Sequence, residues 1–181
     1  GPYARASDPS VAYDAKHKVW LISYLGIKTP GTADVDVSRS TDGGKTFGPP
    51  IIIHTEGTDL LDKNWTTCDN SVRSRFFGHC YTEFDDNTLG DLIQMSTSTD
   101  GGLTWGPGLP TANNAHGIGG QPLVQPSGNV ERLPWLGNFD WENEAGVGRR
   151  FAVTALVSGA GSVSMAIWAT SGAGSTFTSL A

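Results

Sequence analysis

At 181 residues the chain is long enough to bury a core of its own without metals or many crosslinks. Its 24 glycines and 10 prolines, against 17% charged residues, suit many strands joined by tight turns better than long solvent-facing helices, so an all-β fold is expected. The 18 acidic and 12 basic residues leave a net charge of -6 with no Lys/Arg stripe able to neutralise phosphates, which argues against a nucleic-acid partner.

Gly1-Pro2 has the form a tag-removing protease leaves behind and is set aside. Strands are expected over residues 9–13 and 18–25, with Asp14-Ala15-Lys16-His17 turning between them. The alternating run Val35-Asp36-Val37-Ser38-Arg39-Ser40 then enters Thr41-Asp42-Gly43-Gly44-Lys45-Thr46-Phe47-Gly48-Pro49. Glycines accept positive φ there and the Asp42 carboxylate can take backbone N–H groups across the turn, which makes a hairpin. The next strands are expected over 63–68 and 80–84, with Asp85-Asp86-Asn87 turning after them. Cys68 and Cys80 fall in these two strands, where a hairpin brings the sulfurs within bonding distance. Their spacing fits neither a redox C-x-x-C nor a zinc knuckle; a disulfide is the reading adopted, and two buried thiols are the alternative.

Ile93-Gln94-Met95-Ser96-Thr97-Ser98-Thr99-Asp100-Gly101-Gly102-Leu103-Thr104-Trp105-Gly106-Pro107 repeats the first turn 58 residues on. A decayed third copy, Met165-Ala166-Ile167-Trp168-Ala169-Thr170-Ser171-Gly172-Ala173-Gly174-Ser175-Thr176-Phe177, follows 72 residues later with Gly172 in place of the aspartate. That spacing suits one four-stranded blade per copy and divides a single domain of residues 1–181 into blades of about 3–58, 59–118 and 119–181. Strands are expected in the third over 120–125 and 150–156, with 131–149 a long loop or insertion. Residues 151–181 carry no charged side chain but are interrupted by Gly159, Gly161, Gly172 and Gly174, so a membrane span is not expected.

The boxes S-T-D-G-G-K-T-F and S-T-D-G-G-L-T-W resemble the Asp-box, or bacterial neuraminidase repeat, of sialidase-like six-bladed β-propellers. Asp8-Pro9-Ser10-Val11-Ala12-Tyr13-Asp14, Asp62-Lys63-Asn64-Trp65 and Gly119-Gly120-Gln121-Pro122 extend the resemblance over most of residues 4–127. It implies an all-β partial propeller of about three four-stranded antiparallel blades, with Asp42 and Asp100 structural. It also implies a secreted or extracellular exo-glycoside hydrolase of the sialidase-like class, or a fragment of one. The alternative is a non-catalytic Asp-box module that binds carbohydrate or a protein partner.

By position in the family, Arg5 would hold a substrate carboxylate with its guanidinium fork, although Ala4-Arg5-Ala6-Ser7 departs from the family's F-R-I-P. Asp34 would be the acid/base, which requires a raised pKa, and Asp36 two residues on is expected on the same strand face. Tyr81 and Glu83 share a strand face, where a carboxylate could activate a phenol as nucleophile; packing is the plainer role for such a tyrosine. Asp62, Asp140, Glu142 and Glu144 are further carboxylates for a two-carboxylate hydrolysis. The stretch from Asp85 to Asp91 partly resembles a calcium loop, but Leu89 takes a ligand position, and His17, His54, His79 and His116 lack ligand spacing. No metal and no cofactor are expected. Three blades leave two open sheet faces, so two chains could close a six-bladed ring as a homodimer.

Overall fold

The computed structural model describes residues 3–29, 32–55, 60–112, 114–125, 128–133, 149–158, 162–171 and 178–180. They belong to two compact units, Gly1–Leu133 and Pro134–Ala181. The described residues are strands joined by turns, with one 3-10 turn at Asn87–Leu89.

In the first unit β1 (Arg5–Asp14), β2 (Val19–Thr29), β3 (Thr32–Ser40) and β4 (Ile51–His54) form an antiparallel sheet in that order. A second sheet repeats the plan with β5 (Leu61–Cys68), β6 (Cys80–Asp86), β7 (Leu92–Ser98) and β8 (Leu109–Pro110). β9 (Gln121–Val124) pairs with β10 (Val130–Leu133). In the second unit β11 (Arg149–Ser158), β12 (Ser162–Ser171) and β13 (Thr178–Leu180) make a three-stranded antiparallel sheet. The span expected as a third blade is thus divided between a two-stranded pair and this sheet. The turn of the decayed copy lies outside the described residues, as does most of 131–149.

Alternation decides which side chains meet. On one face of the first sheet Val19, Leu21, Leu25, Val35 and Val37 are buried, and that inner face packs against the second sheet's Leu61, Cys68, Cys80 and Phe84. Each such side chain removed from water contributes about 1.5–3 kcal/mol. A layer of hydroxyls crosses between the sheets. The Thr66 N–H donates to Ser10 Oγ at 3.1 Å, the Thr66 hydroxyl to Ser23 Oγ at 2.7 Å, and Asn64 Nδ2 to the same Ser23 oxygen at 2.9 Å. Asn64 is buried, with its amide engaged in this layer. Cys68 and Cys80 face each other across β5 and β6 with Cα atoms 4.0 Å apart and are joined in a disulfide.

The two Ser-Thr-Asp-Gly-Gly turns match bond for bond. Asp42 accepts from Ser40 Oγ, the Lys45 and Thr46 N–H groups and the Thr46 hydroxyl; Asp100 accepts from Ser98 Oγ, the Leu103 and Thr104 N–H groups and the Thr104 hydroxyl. Gly43, Gly44, Gly101 and Gly102 all have positive φ, which is why a side chain is excluded from the bend. These bonds hold both carboxyls below the ordinary carboxylate range: in Asp42 the Thr46 hydroxyl leads, and in Asp100 the bonds outweigh burial. The turns differ in surroundings. Arg39 Nε donates to the Gly101 carbonyl at 2.6 Å, and a Cβ on Gly102 would come within 2.8 Å of Leu21, whereas nothing lies within 4 Å of a Cβ on Gly43 or Gly44.

Candidate functional site

Two of the buried carboxyls lie at the strand ends remote from those turns. Asp34 and Asp36 stand at the start of β3, and the i, i+2 spacing sends both to the outer face of the first sheet, away from the second. Asp34 is 2% exposed and Asp36 is 0% exposed. Room for them is made by Gly26, which pairs with Asp34 across β2: a Cβ there would collide with Asp36 Oδ2 and the Tyr3 ring. The Tyr3 hydroxyl sits between the carboxyls, 3.0 Å from Asp34 Oδ2 and 2.9 Å from Asp36 Oδ1. Lys28 Nζ lies 2.9 Å from Asp34 Oδ1 and 2.7 Å from its Oδ2, and the Thr55 hydroxyl donates to Oδ1 at 2.6 Å.

This arrangement separates two carboxyls that are chemically alike. Burial opposes ionisation of Asp34, but donation by Lys28, Thr55 and Tyr3 outweighs it and lowers the pKa. Asp36 receives only the Tyr3 bond. Its burial, reinforced by the neighbouring Asp34 charge, raises its pKa to about 6, and its Oδ2 has no hydrogen-bond partner. Burial and the two carboxylates push the Tyr3 phenol upward, so it remains a donor. The cluster holds one fixed negative charge beside one carboxyl that exchanges its proton near neutrality.

The raised pKa expected of Asp34 belongs to Asp36, because the cation and two hydroxyls converge on Asp34. Tyr3, Lys28 and Thr55 were not legible as partners. They come from the ends of three different strands or segments, and no local pattern links them; only the Asp-x-Asp alternation could have pointed here.

The other expected residues stand elsewhere. Arg5 begins β1, exposed, opposite Ile27, one register step from the row that joins Ala6, Gly26 and Asp34. That single step turns it to the inner face, away from Asp34. Tyr81 and Glu83 share one face of β6, the face opposite Phe84, and both are buried. The Tyr81 phenol is pushed up by burial and then by the Asp69 charge, a direction that withholds the phenolate. Arg5, Asp34 and the Tyr81–Glu83 pair thus occupy three sheet faces. Asp62 is partly exposed at the start of β5 and accepts from the Lys63 N–H at 2.8 Å; Asp140, Glu142 and Glu144 lie outside the described residues. In the stretch from Asp85 to Asp91, Asp86 caps the 3-10 turn by accepting from the Thr88 N–H and hydroxyl, and Asn87 Nδ2 bridges Asp85 and Asp91.

No protein-family profile matches the chain. It is similar to a sialidase of Micromonospora viridifaciens, 30% identical over 105 residues, a match that takes in 49% of this chain and 16% of that protein. Among solved structures it is similar to the Hadza microbial sialidase Hz136, with a TM-score of 0.58 and 12% identity over 98% of this chain and 37% of that one. A Dyadobacter fermentans protein of unknown function overlaps at a TM-score of 0.45 with 12% identity, over 99% of this chain and 55% of its own. The chain spans well under half of the sialidases it matches. At this identity the likeness to Hz136 is one of fold, and the fold is that of a partial sialidase-like β-propeller.

Proposed function

We propose that the chain is an extracellular, carbohydrate-directed segment of an Asp-box propeller that does not complete a hydrolytic site from its own described residues. The observation that carries this reading is the separation of Arg5, Asp34 and the Tyr81–Glu83 pair onto three sheet faces. Glycoside hydrolysis needs an acid and a second group flanking one bond, and alternation along β1, β3 and β6 directs these side chains to different faces. Likeness to two sialidases supports a glycan ligand. The Cys68–Cys80 disulfide supports an oxidising compartment.

Titration with sialylated and neutral glycans, run beside turnover of aryl sialosides and other aryl glycosides, tests the proposal. Binding without turnover is expected. Turnover that is lost in Arg5→Ala and Asp34→Ala would overturn the non-catalytic part, and absence of both binding and turnover would remove the glycan.

The Tyr3-bridged carboxyl pair favours a second reading, an exo-acting glycoside hydrolase in which this pair manages the proton. Its signature is a rate profile with a limb near pH 6 that Asp36→Asn abolishes. On either reading a homodimer closing a six-bladed ring would supply the remaining blades.

A further inference from the structure

Two segments distant in sequence are tied together beside the second Asp-box turn. The first is the turn between β1 and β2, from Asp14 to Lys18; the second is the loop from Asp69 to His79 that joins β5 to β6. The Ala15 N–H donates to Asn70 Oδ1 and Asn70 Nδ2 donates to the Tyr13 carbonyl, each at 2.8 Å. Lys16 lies along Gly78, which has positive φ, and a Cβ on that glycine would collide with the lysine stem. His17 abuts Gly101 of the Asp-box turn, where a Cβ would come within 2.9 Å of its own. The loop is closed by the Cys68–Cys80 disulfide and braced by the Asp69 N–H on the His79 carbonyl at 2.8 Å and the Gly78 N–H on the Asp69 carbonyl at 2.9 Å.

This junction concentrates charge of one sign. It holds Lys16, Lys18, Arg73 and Arg75, four of the 12 basic residues of a chain whose net charge is -6, and all four are exposed. The carboxylates of the same two segments, Asp14 and Asp69, are each 0% exposed. Asp14 accepts from the Lys16 and His17 N–H groups and meets the His17 ring, and Asp69 accepts from the Ser71 N–H. Asp100, in the turn beside His17, is engaged four times within that turn. Among the described residues none of the four cationic side chains has an ion-pair partner. Arg75 Cζ lies 4.4 Å from the centroid of the Phe76 ring, which meets His79 edge-on at 5.3 Å. Stacking occupies one face of the guanidinium and leaves the N–H groups of its edge for a planar oxyanion.

We infer that this basic patch binds an anionic glycan, one bearing carboxylate or sulfate groups, at a place separate from the Asp34 and Asp36 cluster. No Lys/Arg stripe announces it in the sequence, because its halves are 55 residues apart where Ala15 meets Asn70. Four cations confined to one patch of an acidic chain suit a ligand of sparse charge; a long phosphate polymer would run from the patch onto acidic surface. The inference rests on the carbohydrate-directed reading above, to which it adds a charged class of ligand and a location.

Calorimetric titration of the full chain at low and at higher salt, with dextran sulfate, polygalacturonate and neutral dextran as probes, tests it. One or both polyanions bind, more weakly as salt rises, and dextran does not. The tighter of the two identifies sulfate or carboxylate as the group recognised. Arg73→Ala combined with Arg75→Ala raises the Kd by about tenfold or more. Arg75→Lys also weakens binding, since it keeps the charge and loses the fork, whereas Lys45→Ala, at an exposed lysine of the other Asp-box turn, leaves binding unchanged. Should the arginine variants disturb the disulfide loop, Lys16→Gln combined with Lys18→Gln on the other segment gives the second measurement, with the same direction of loss. Polyanion binding that survives both pairs of substitutions overturns the inference, as does tighter binding of a single-stranded oligonucleotide than of either polysaccharide. Failure of both polyanions while a neutral glycan still binds overturns the patch and leaves the carbohydrate reading standing; a chain that binds no glycan of any kind removes both.

Discussion

Asp34 and Asp36 show how position within one cluster fixes the charge of identical groups. Asp36 keeps its proton in the folded chain up to about pH 6, whereas the unfolded chain releases it near 3.8. Between those values the folded state binds more protons, so stability falls as pH rises from about 4 to 6 and stays lower above, by at most about 3 kcal/mol. Asp34 has the opposite sign: its stabilisation is present above 3.8 and is lost as pH falls through its lowered folded pKa. Asp36→Asn keeps an acceptor for Tyr3 and removes the ionisation. Urea titration should find the variant about 1–3 kcal/mol more stable than the parent at pH 7.5 and within about 1 kcal/mol at pH 4. An equal difference at both pH values would show that titration of Asp36 is not the cause. Asp34→Asn should weaken the Lys28 pair and lower stability at pH 7.5. The sequence placed both carboxyls on one face through their i, i+2 spacing, but the donors that tell them apart are separated from Asp34 by 31, 6 and 21 residues and leave no periodic trace.

At the level of elements, turn chemistry was the most legible feature and also the most uniform. The bonding of Asp42 and Asp100 follows from Asp-Gly-Gly and a threonine four residues on, and the strands leading into these turns follow from alternation. What alternation does not reveal is which turn meets a neighbour. Asp100→Ala removes acceptors from two backbone N–H groups and two hydroxyls in a turn held against Arg39 and Leu21, a loss of about 1–3 kcal/mol. Differential scanning calorimetry should register a fall of about 2–4 °C for each kcal/mol. Asp42→Ala should lower Tm less, because the open turn lets water take over the freed groups; equal losses would mean that docking of the second turn adds nothing. The hydroxyl layer between the sheets was equally invisible in sequence, since Ser23 and Thr66 are ordinary strand residues there. Ser23→Ala leaves the Asn64 and Thr66 donors buried without that acceptor and should cost about 1–3 kcal/mol, measured by urea denaturation.

On the scale of the whole molecule, legibility followed the repeat. Where both copies keep aspartate, glycines and aromatic, the expected four-stranded sheet is present; where Gly172 replaces the aspartate, the strands expected over 120–125 and 150–156 coincide with β9 and β11, but the two-stranded and three-stranded pairing they enter has no counterpart in the pattern. The first unit is nonetheless provided with what independent folding requires. Its buried apolar cluster, the Cys68–Cys80 disulfide and the hydroxyl layer all fall before Leu133. The disulfide closes a short loop between cysteines 12 positions apart in sequence, and by chain entropy it contributes about 2–3 kcal/mol to that unit. A chain ending at Leu133 should therefore melt in one cooperative transition, keep its β-type circular dichroism and expose no thiol to titration until reductant is added. Reduction should then lower its Tm without abolishing the transition, because the apolar cluster extends well beyond the crosslink. A truncated chain that melts without cooperativity, or whose cysteines titrate while oxidised, would show that the stability of these two sheets depends on residues beyond Leu133.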